Sequence, residues 1–390
     1  MWRRMRWWLW RRMRWLWRMR RLILMHSQTP NMCHEVSYCP RGLLLQWHVT
    51  ERCNLRCAHC YQESYSGKEL DFADLLMVLW QYKELLAQWR DHAKQPGMRG
   101  HITVTGGEPF VRRDFLDLLE VFAANRKRFS FAILTNGTFI DDAMARRLRK
   151  LRPAFVQVSI EGSRVTHNEI RGSGNFERTV SAIKHLVRAR IRTLISFTAN
   201  RLNYQEFPEV ARLGRRLRVS RVWADRLIPW GIGSAMKEQV LTHAQTREFF
   251  EIMRKEHSQA RWWFGRTEVA MHRSLQFLVA GGKPYHCAAG DSLITVQPNG
   301  DLYPCRRMPI RAGNLMETPL VELYYENALF RALRDRNHIS DGCQGCFYSK
   351  LCRGGLKCLS YAVTGDPFRA DPGCWHAIPG TQVEQAGSHL

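Results

Sequence analysis

Thr50-Glu51-Arg52-Cys53-Asn54-Leu55-Arg56-Cys57-Ala58-His59-Cys60-Tyr61 follows directly on the apolar, strand-like run Leu43 to Val49. Its three cysteines are spaced CxxxCxxC, with polar Asn, Arg and His in the gaps. A loop this short brings three thiolates to three corners of one Fe–S cubane, and no fourth Cys stands at a matching distance to close the last corner. One iron is left open, and an open iron binds a substrate or cofactor. Structural zinc and three unreactive thiols are the other readings. Zinc knuckles usually come as CxxC pairs with a second pair downstream, which neither the three-residue gap nor the preceding strand fits.

From Leu43 onward, β-type and helix-type runs alternate. The strand-like stretches are Leu44–Val49, His101–Thr105, Phe129–Leu134, Phe155–Ile160, Thr193–Phe197 and Arg221–Ala224. The helical patterns between them are Asp71–Arg90, Asp114–Arg126, Asp141–Lys150, Phe176–Arg190 and Gln205–Leu217. Six β/α alternations predict an α/β fold, a parallel sheet with helices outside that curls into a full or partial barrel. Chemistry in such barrels sits at the C-terminal ends of the strands, where the Cys loop lies. Thr105-Gly106-Gly107-Glu108-Pro109 occupies the second such end, Leu134-Thr135-Asn136-Gly137 the third, and Val158-Ser159-Ile160-Glu161-Gly162 the fourth. Two glycines after a strand let backbone approach a ligand with no Cβ in the way. Asn200, Asn203 and Arg226 fall at the same mouth and are candidates to face substrate.

The CxxxCxxC spacing, the aromatic after the last Cys and the GGEP element resemble the radical S-adenosylmethionine (radical SAM) superfamily. That resemblance implies a partial (β/α)6 TIM-like barrel and a [4Fe–4S] cluster on Cys53, Cys57 and Cys60. In the family the open iron chelates S-adenosylmethionine, and reduction yields a 5′-deoxyadenosyl radical. It also implies cofactor contacts at Gly106, Gly107, Glu108, Pro109, Asn136, Ser159 and Glu161. Arg171, in His167-Asn168-Glu169-Ile170-Arg171-Gly172, resembles the Arg that meets the cofactor carboxylate. Many members carry Asp where this chain has Glu161.

At Cys287 the character changes. Cys287, Gly300 and Cys305 are followed by Cys343-x2-Cys346-x5-Cys352, then Cys358 and Cys374. Asn299-Gly300 between Leu293–Val296 and Asp301–Tyr303 signals a hairpin. Seven cysteines on a turn-rich segment call for metal, and two zinc ions fit the count. Downstream of such a barrel the pattern instead resembles the SPASM extension with auxiliary [4Fe–4S] clusters. By that resemblance Cys343, Cys346, Cys352 and Cys374 serve an outer cluster, and Cys287, Cys305 and Cys358 an inner one. The family pattern places a Cys at the position of Leu356, two residues before Cys358. Either the loop re-forms to deliver Cys358, or the inner cluster has fewer protein ligands.

The expected organisation is an N-terminal extension at 1–42, a barrel at 43–230, a connector at 231–286, a SPASM domain at 287–376 and a tail at 377–390. At 390 residues and 45% hydrophobic content the chain is long enough for a barrel plus a smaller domain. Its net charge is +24, but nine arginines within residues 1–21 leave +15 for the remainder. Such a basic balance favours an anionic partner without choosing one. The tryptophans among residues 1–17 share no helical face and no apolar run there exceeds four residues, which excludes a signal or membrane segment. The expectation is an over-long start, with the protein proper beginning near Met25 or Met32. Twelve cysteines in tight clusters and no secretion signal point to a reducing cytoplasm.

The resemblance extends to peptide-modifying radical SAM/SPASM maturases. It implies a ribosomally made peptide or protein substrate, an electron donor such as flavodoxin or ferredoxin, and a separate leader-peptide-binding protein, the segment before Leu43 being too short to be one. Nucleic acid is not an expected partner. The alternative is a small-molecule enzyme, for instance on a tetrapyrrole in haem-type cofactor synthesis; a non-catalytic electron carrier leaves GGEP and the barrel unexplained. No catalytic acid or base follows from spacing.

Overall fold

The computed structural model describes residues 38–92, 99–262 and 267–376. The expectations for the arginine–tryptophan segment and for the tail lie outside the described residues. Its frame is one ten-stranded sheet with the order β10-β9-β8-β1-β2-β3-β4-β5-β6-β7. The strands β1 (Leu44–His48), β2 (Gly100–Thr105), β3 (Phe129–Thr135), β4 (Val156–Ser159), β5 (Thr193–Ala199) and β6 (Arg221–Arg226) run parallel, each paired with the next. Crossover helices include α1 (Phe72–His92), α2 (Phe115–Ala124), α3 (Asp142–Leu151), α4 (Arg164–Arg171), α5 (Asn175–Arg188) and α6 (Phe207–Leu217). The sheet is an open, partial barrel, as the alternation predicts.

Local chemistry sets these boundaries. Asp71 and Asp141 accept the backbone N–H of Asp74 (2.9 Å) and Met144 (2.7 Å), satisfying amides that the first turns of α1 and α3 leave free. Along the strands, buried apolar residues such as Leu45, Trp47, Ile195, Phe197 and Val222 alternate with less buried ones such as Gln46, Ser196, Thr198 and Trp223. Trp47 of β1 packs on Phe122 of α2 (5.8 Å between rings), which packs on Phe129 and Phe131 of β3.

Three features depart from the six-strand expectation. The segment 231–286, read as a connector, holds α7 (His243–Trp262), β7 (Glu268–Val269) and a short α8 (Phe277–Ala280); β7 adds a parallel strand beyond β6. β8 (Leu293–Val296) does form a hairpin with β9 (Asp301–Tyr303), with Gly300 at φ 92° in the turn. But β8 also pairs in parallel with β1, Leu44 opposite Leu293, so the hairpin extends the barrel sheet. β10 (Gly313–Asn314) then pairs with β9.

The Cys-rich end, read as a turn-rich segment with one hairpin, also contributes helices to the core. Helices α9 (Leu320–Glu326) and α10 (Ala328–Arg334) bury Leu320, Tyr324 and Phe330, and Tyr324 meets Trp89 of α1 at 5.1 Å. Two short helices, α11 (Ser349–Cys352) and α12 (Lys357–Thr364), carry Cys352 and Cys358. No helix among the described residues is long and apolar enough to cross a membrane.

Candidate active site

The Cys loop leaves β1 and is held by backbone from two neighbours. Gly107 N–H donates to Thr50 O (2.8 Å), Glu108 N–H to Arg52 O (2.9 Å), and Ala58 N–H to Ile170 O at the end of α4 (2.9 Å). A Cβ on Gly106 would stand 2.5 Å from Thr50 O, and one on Gly107 2.4 Å from Arg52 O. The two glycines therefore let the end of β2 lie against the loop backbone itself, as well as facing the cavity.

That cavity, about 1070 Å³ counting its open mouth, is lined by Cys53, Cys57 and Cys60, by Gly106, Gly107, Asn136, Ser159 and Arg171, and by residues from β5, β6 and the turn after β9. Thus five of the eight expected cofactor contacts line it together with the three thiols. Glu108 and Glu161 are not among the lining residues: both are fully buried behind the wall. Pro109 starts a 3-10 turn, also outside the lining.

Glu108 accepts from Thr135 Oγ1 (2.9 Å), Asn136 N–H (2.8 Å) and Phe110 N–H (3.2 Å), so it joins the ends of β2 and β3. Burial pushes its pKa up to about 7, against the pull of those donors. Glu161 accepts from Arg171 (2.5 Å), His59 Nε2 (3.1 Å) and Thr198 N–H (2.8 Å). Burial alone would raise its pKa, but Arg171 and His59 outweigh it and hold the carboxyl well below the usual range. Fixed in this way, Arg171 points Nη1 at Cys57 Sγ, 3.8 Å away.

Asn136 bonds Asn54 of the Cys loop (2.9 Å) and reaches Cys53 Sγ at 4.0 Å, while Leu55 N–H donates to Cys53 Sγ at 3.4 Å. Burial raises the pKa of both Cys53 and Cys57, outweighing the Leu55 N–H and the Arg171 guanidinium, which pull toward thiolates. The three thiols line a wall, and among the described residues no three metal-ligating side chains converge on one ion. A cubane takes each thiolate on a different iron, whereas zinc needs ligands gathered within about 2.3 Å of one centre.

The other mouth candidates have protein partners. Asn203 Nδ2 donates to Glu161 O and Thr198 O, and Asn200 accepts from Leu202 N–H. Arg226 lines the cavity but spends its guanidinium on Asp371, 145 residues away, at 2.7 and 2.6 Å. Sequence reading missed Gln157, Ser196, Thr198, Trp223, Asp225, Arg306 and Arg307, all of which line the cavity. Polar residues at alternate positions of otherwise apolar strands, Gln157 and Ser159 or Ser196 and Thr198, carried the signal, because alternation puts them on one face.

The remaining cysteines fall into two sets. Cys358, wholly buried, lies within charge-interaction range of Cys305 and Cys287. Cys343, Cys346, Cys352 and Cys374 interact with one another in the same way. Ahead of Cys358 stand Arg353, Gly354 and Gly355, three consecutive residues at φ 58°, 82° and 79°. This bend returns the chain so that α12 presents Cys358 in its first turn, beside buried Leu356.

Residues 47–214 match the Radical SAM superfamily and residues 287–347 the SPASM iron-sulfur cluster-binding domain. The chain is a radical SAM enzyme with a SPASM extension. As such it uses S-adenosylmethionine and [4Fe–4S] chemistry. Among its relatives, an AdoMet-dependent heme synthase of Methanosarcina barkeri is 27% identical over 85% of this chain and 95% of its own length. A mycofactocin maturase of Mycolicibacterium smegmatis is 28% identical over 85% and 82%. The fold is similar to that of Streptococcus suis SuiB bound to its precursor peptide SuiA, with TM-score 0.64 and 17% identity over 85% of this chain and 75% of that one.

Proposed function

We propose that this chain is a maturase that abstracts hydrogen from a residue of a ribosomally made peptide or protein. The observation that carries the reading is the shared cavity: the CxxxCxxC thiols and the turn after Cys305 face the same space. A substrate there is within reach of both iron–sulfur sites. Cys53, Cys57 and Cys60 would hold the first cluster, whose donor set leaves one iron open for S-adenosylmethionine. When bound and reduced, that pair supplies a 5′-deoxyadenosyl radical.

The chain's own residues position the parts. Gly106 and Gly107 hold the loop close and offer backbone to the methionine moiety, Asn136 and Ser159 supply polar edges, and Arg171, locked by Glu161, meets the cofactor carboxylate. Glu108, Glu161 and Pro109 act behind the wall, fixing strand ends. Cys343, Cys346, Cys352 and Cys374 would hold the outer auxiliary cluster, and Cys287, Cys305 and Cys358 the inner one. Partners on this reading are the peptide, a low-potential electron donor such as flavodoxin or ferredoxin, and a separate leader-peptide-binding protein, in the cytoplasm.

A second reading, a tetrapyrrole as substrate, is favoured by the near full-length match to the heme synthase. The experiment is reconstitution under anaerobic conditions with reductant and S-adenosylmethionine. Cleavage to 5′-deoxyadenosine supports the radical reading. Stimulation by a peptide encoded beside the gene supports the maturase, and stimulation by an iron porphyrin supports the alternative. No cleavage from protein carrying its clusters refutes both.

A further inference from the structure

Four arginines line the cavity: Arg171, Arg226, Arg306 and Arg307. Three are neutralised at close range, Arg171 by Glu161 (2.5 Å), Arg226 by Asp371 (2.6 Å) and Arg307 by Asp225 (2.8 Å). Arg306 is different. No carboxylate among the described residues pairs with it, and its Nε is buried with no hydrogen-bond partner. The guanidinium carbon stands 5.5 Å from the ring centroid of Tyr61, the residue after Cys60. A ring at that position supports the face of a guanidinium and leaves its in-plane N–H groups to a ligand.

Neighbouring charges do not supply that ligand. Asp225 is the only carboxylate among the lining residues, and Arg307 at 2.8 Å and Arg273 at 3.6 Å already share it. The thiol sets have cations of their own: Arg171 stands 3.8 Å from Cys57, and Arg307 interacts with Cys305 and Cys358. A buried guanidinium donor without a partner is costly to keep, and a planar fork of this kind fits a carboxylate.

We infer that Arg306, backed by Tyr61, recognises a free carboxylate on the substrate and holds it between the Cys53–Cys60 loop and the Cys305 turn. This rests on the reading of the cavity as a radical-enzyme site and narrows its substrate to a carboxylate-bearing one. An acidic side chain of a peptide and a propionate of a tetrapyrrole present the same group, and only the scaffold behind the carboxylate differs.

The test is an anaerobic binding titration of the full chain carrying its clusters and S-adenosylmethionine. One probe pair is iron coproporphyrin III and its methyl ester, followed by absorbance. The other is a short fluorescent peptide with a central glutamate and its glutamine counterpart, followed by anisotropy. Wild-type protein should bind the acid member of one pair roughly tenfold or more tightly than its neutral counterpart. The preferred pair identifies the source of the carboxylate. Arg306→Gln should erase the preference and Arg306→Lys should keep part of it, a point charge replacing the fork.

The inference is overturned if wild-type protein prefers the acid in neither pair, or if Arg306→Gln binds the acid as tightly as wild type. Should Arg306→Gln fail to fold, the acid-to-neutral ratio of wild type and the lysine variant decide the matter. The titration needs no turnover. A wild-type protein that binds with the expected preference yet forms no 5′-deoxyadenosine refutes the radical reading and leaves the carboxylate site standing.

Discussion

Two sets of three thiols, one lining the cavity and one set in a buried apolar cluster, are held by different means. Cys53, Cys57 and Cys60 sit on a loop pinned by backbone hydrogen bonds from β2 and α4 and by the Glu108 and Glu161 networks. Cys287, Cys305 and Cys358 come from segments far apart in the chain and are gathered by apolar packing of Ile228, Met308, Leu333, Leu356 and Leu359. Directional hydrogen bonds preorganise the first set, while the second depends on a small apolar cluster and one glycine bend. The first set should therefore be insensitive to changes in the second.

The largest effect is expected from breaking the first set. Changing Cys53, Cys57 and Cys60 together to Ala should abolish formation of 5′-deoxyadenosine and remove one cluster's worth of iron, leaving the auxiliary iron in place; residual cleavage would contradict the assignment. Cys358→Ala comes next. It should lower the iron content through the inner site and reduce substrate modification much more than cofactor cleavage, as read by Mössbauer count and product yield. Unchanged values for both would make Cys358 a spare thiol.

The networks behind the first set give smaller effects, read as stability. Glu161→Ala leaves Arg171 and His59 facing a buried gap and should cost about 3–5 kcal/mol in denaturant unfolding, with Glu161→Gln costing less. A loss near zero would show that the carboxylate is not the anchor.

Glu108 gives a pH signature. Its folded pKa, raised by burial to about 7, lies above its unfolded value, so the folded state holds the proton more tightly. Its contribution to stability is full below the ordinary carboxylate pKa and is lost as pH rises through 7, by up to ~3 kcal/mol. Glu108→Gln should flatten that part of the stability profile; an unchanged slope between pH 4.5 and 7 would contradict the burial argument.

The strands β1 to β6 and the Cys loop were legible because their signals are local: apolar runs, caps and a three-cysteine spacing. What was missed is non-local. Leu293–Val296 reads as half of a hairpin, and nothing nearby says that it also pairs with Leu44 to Trp47. Arg226 reads as a free cation at a barrel mouth until Asp371 arrives to bind it. Glu108 and Glu161 were identified by motif, but motif does not say on which side of the wall a carboxylate lies. Hydrogen bonds from Thr135, Asn136 and Thr198 put both behind it. The displacement of Cys358 looked like a defect in a spacing, and nothing nearby announced the three consecutive residues of positive φ that precede it.

The central claim is that one iron on the Cys53, Cys57 and Cys60 loop is open to S-adenosylmethionine. Electron paramagnetic resonance of the reduced, fully reconstituted chain, recorded before and after adding S-adenosylmethionine, tests it most directly. The account predicts a shift in the signal of one cluster, absent in the triple Cys→Ala variant. A spectrum that S-adenosylmethionine leaves unchanged in wild-type protein would contradict it.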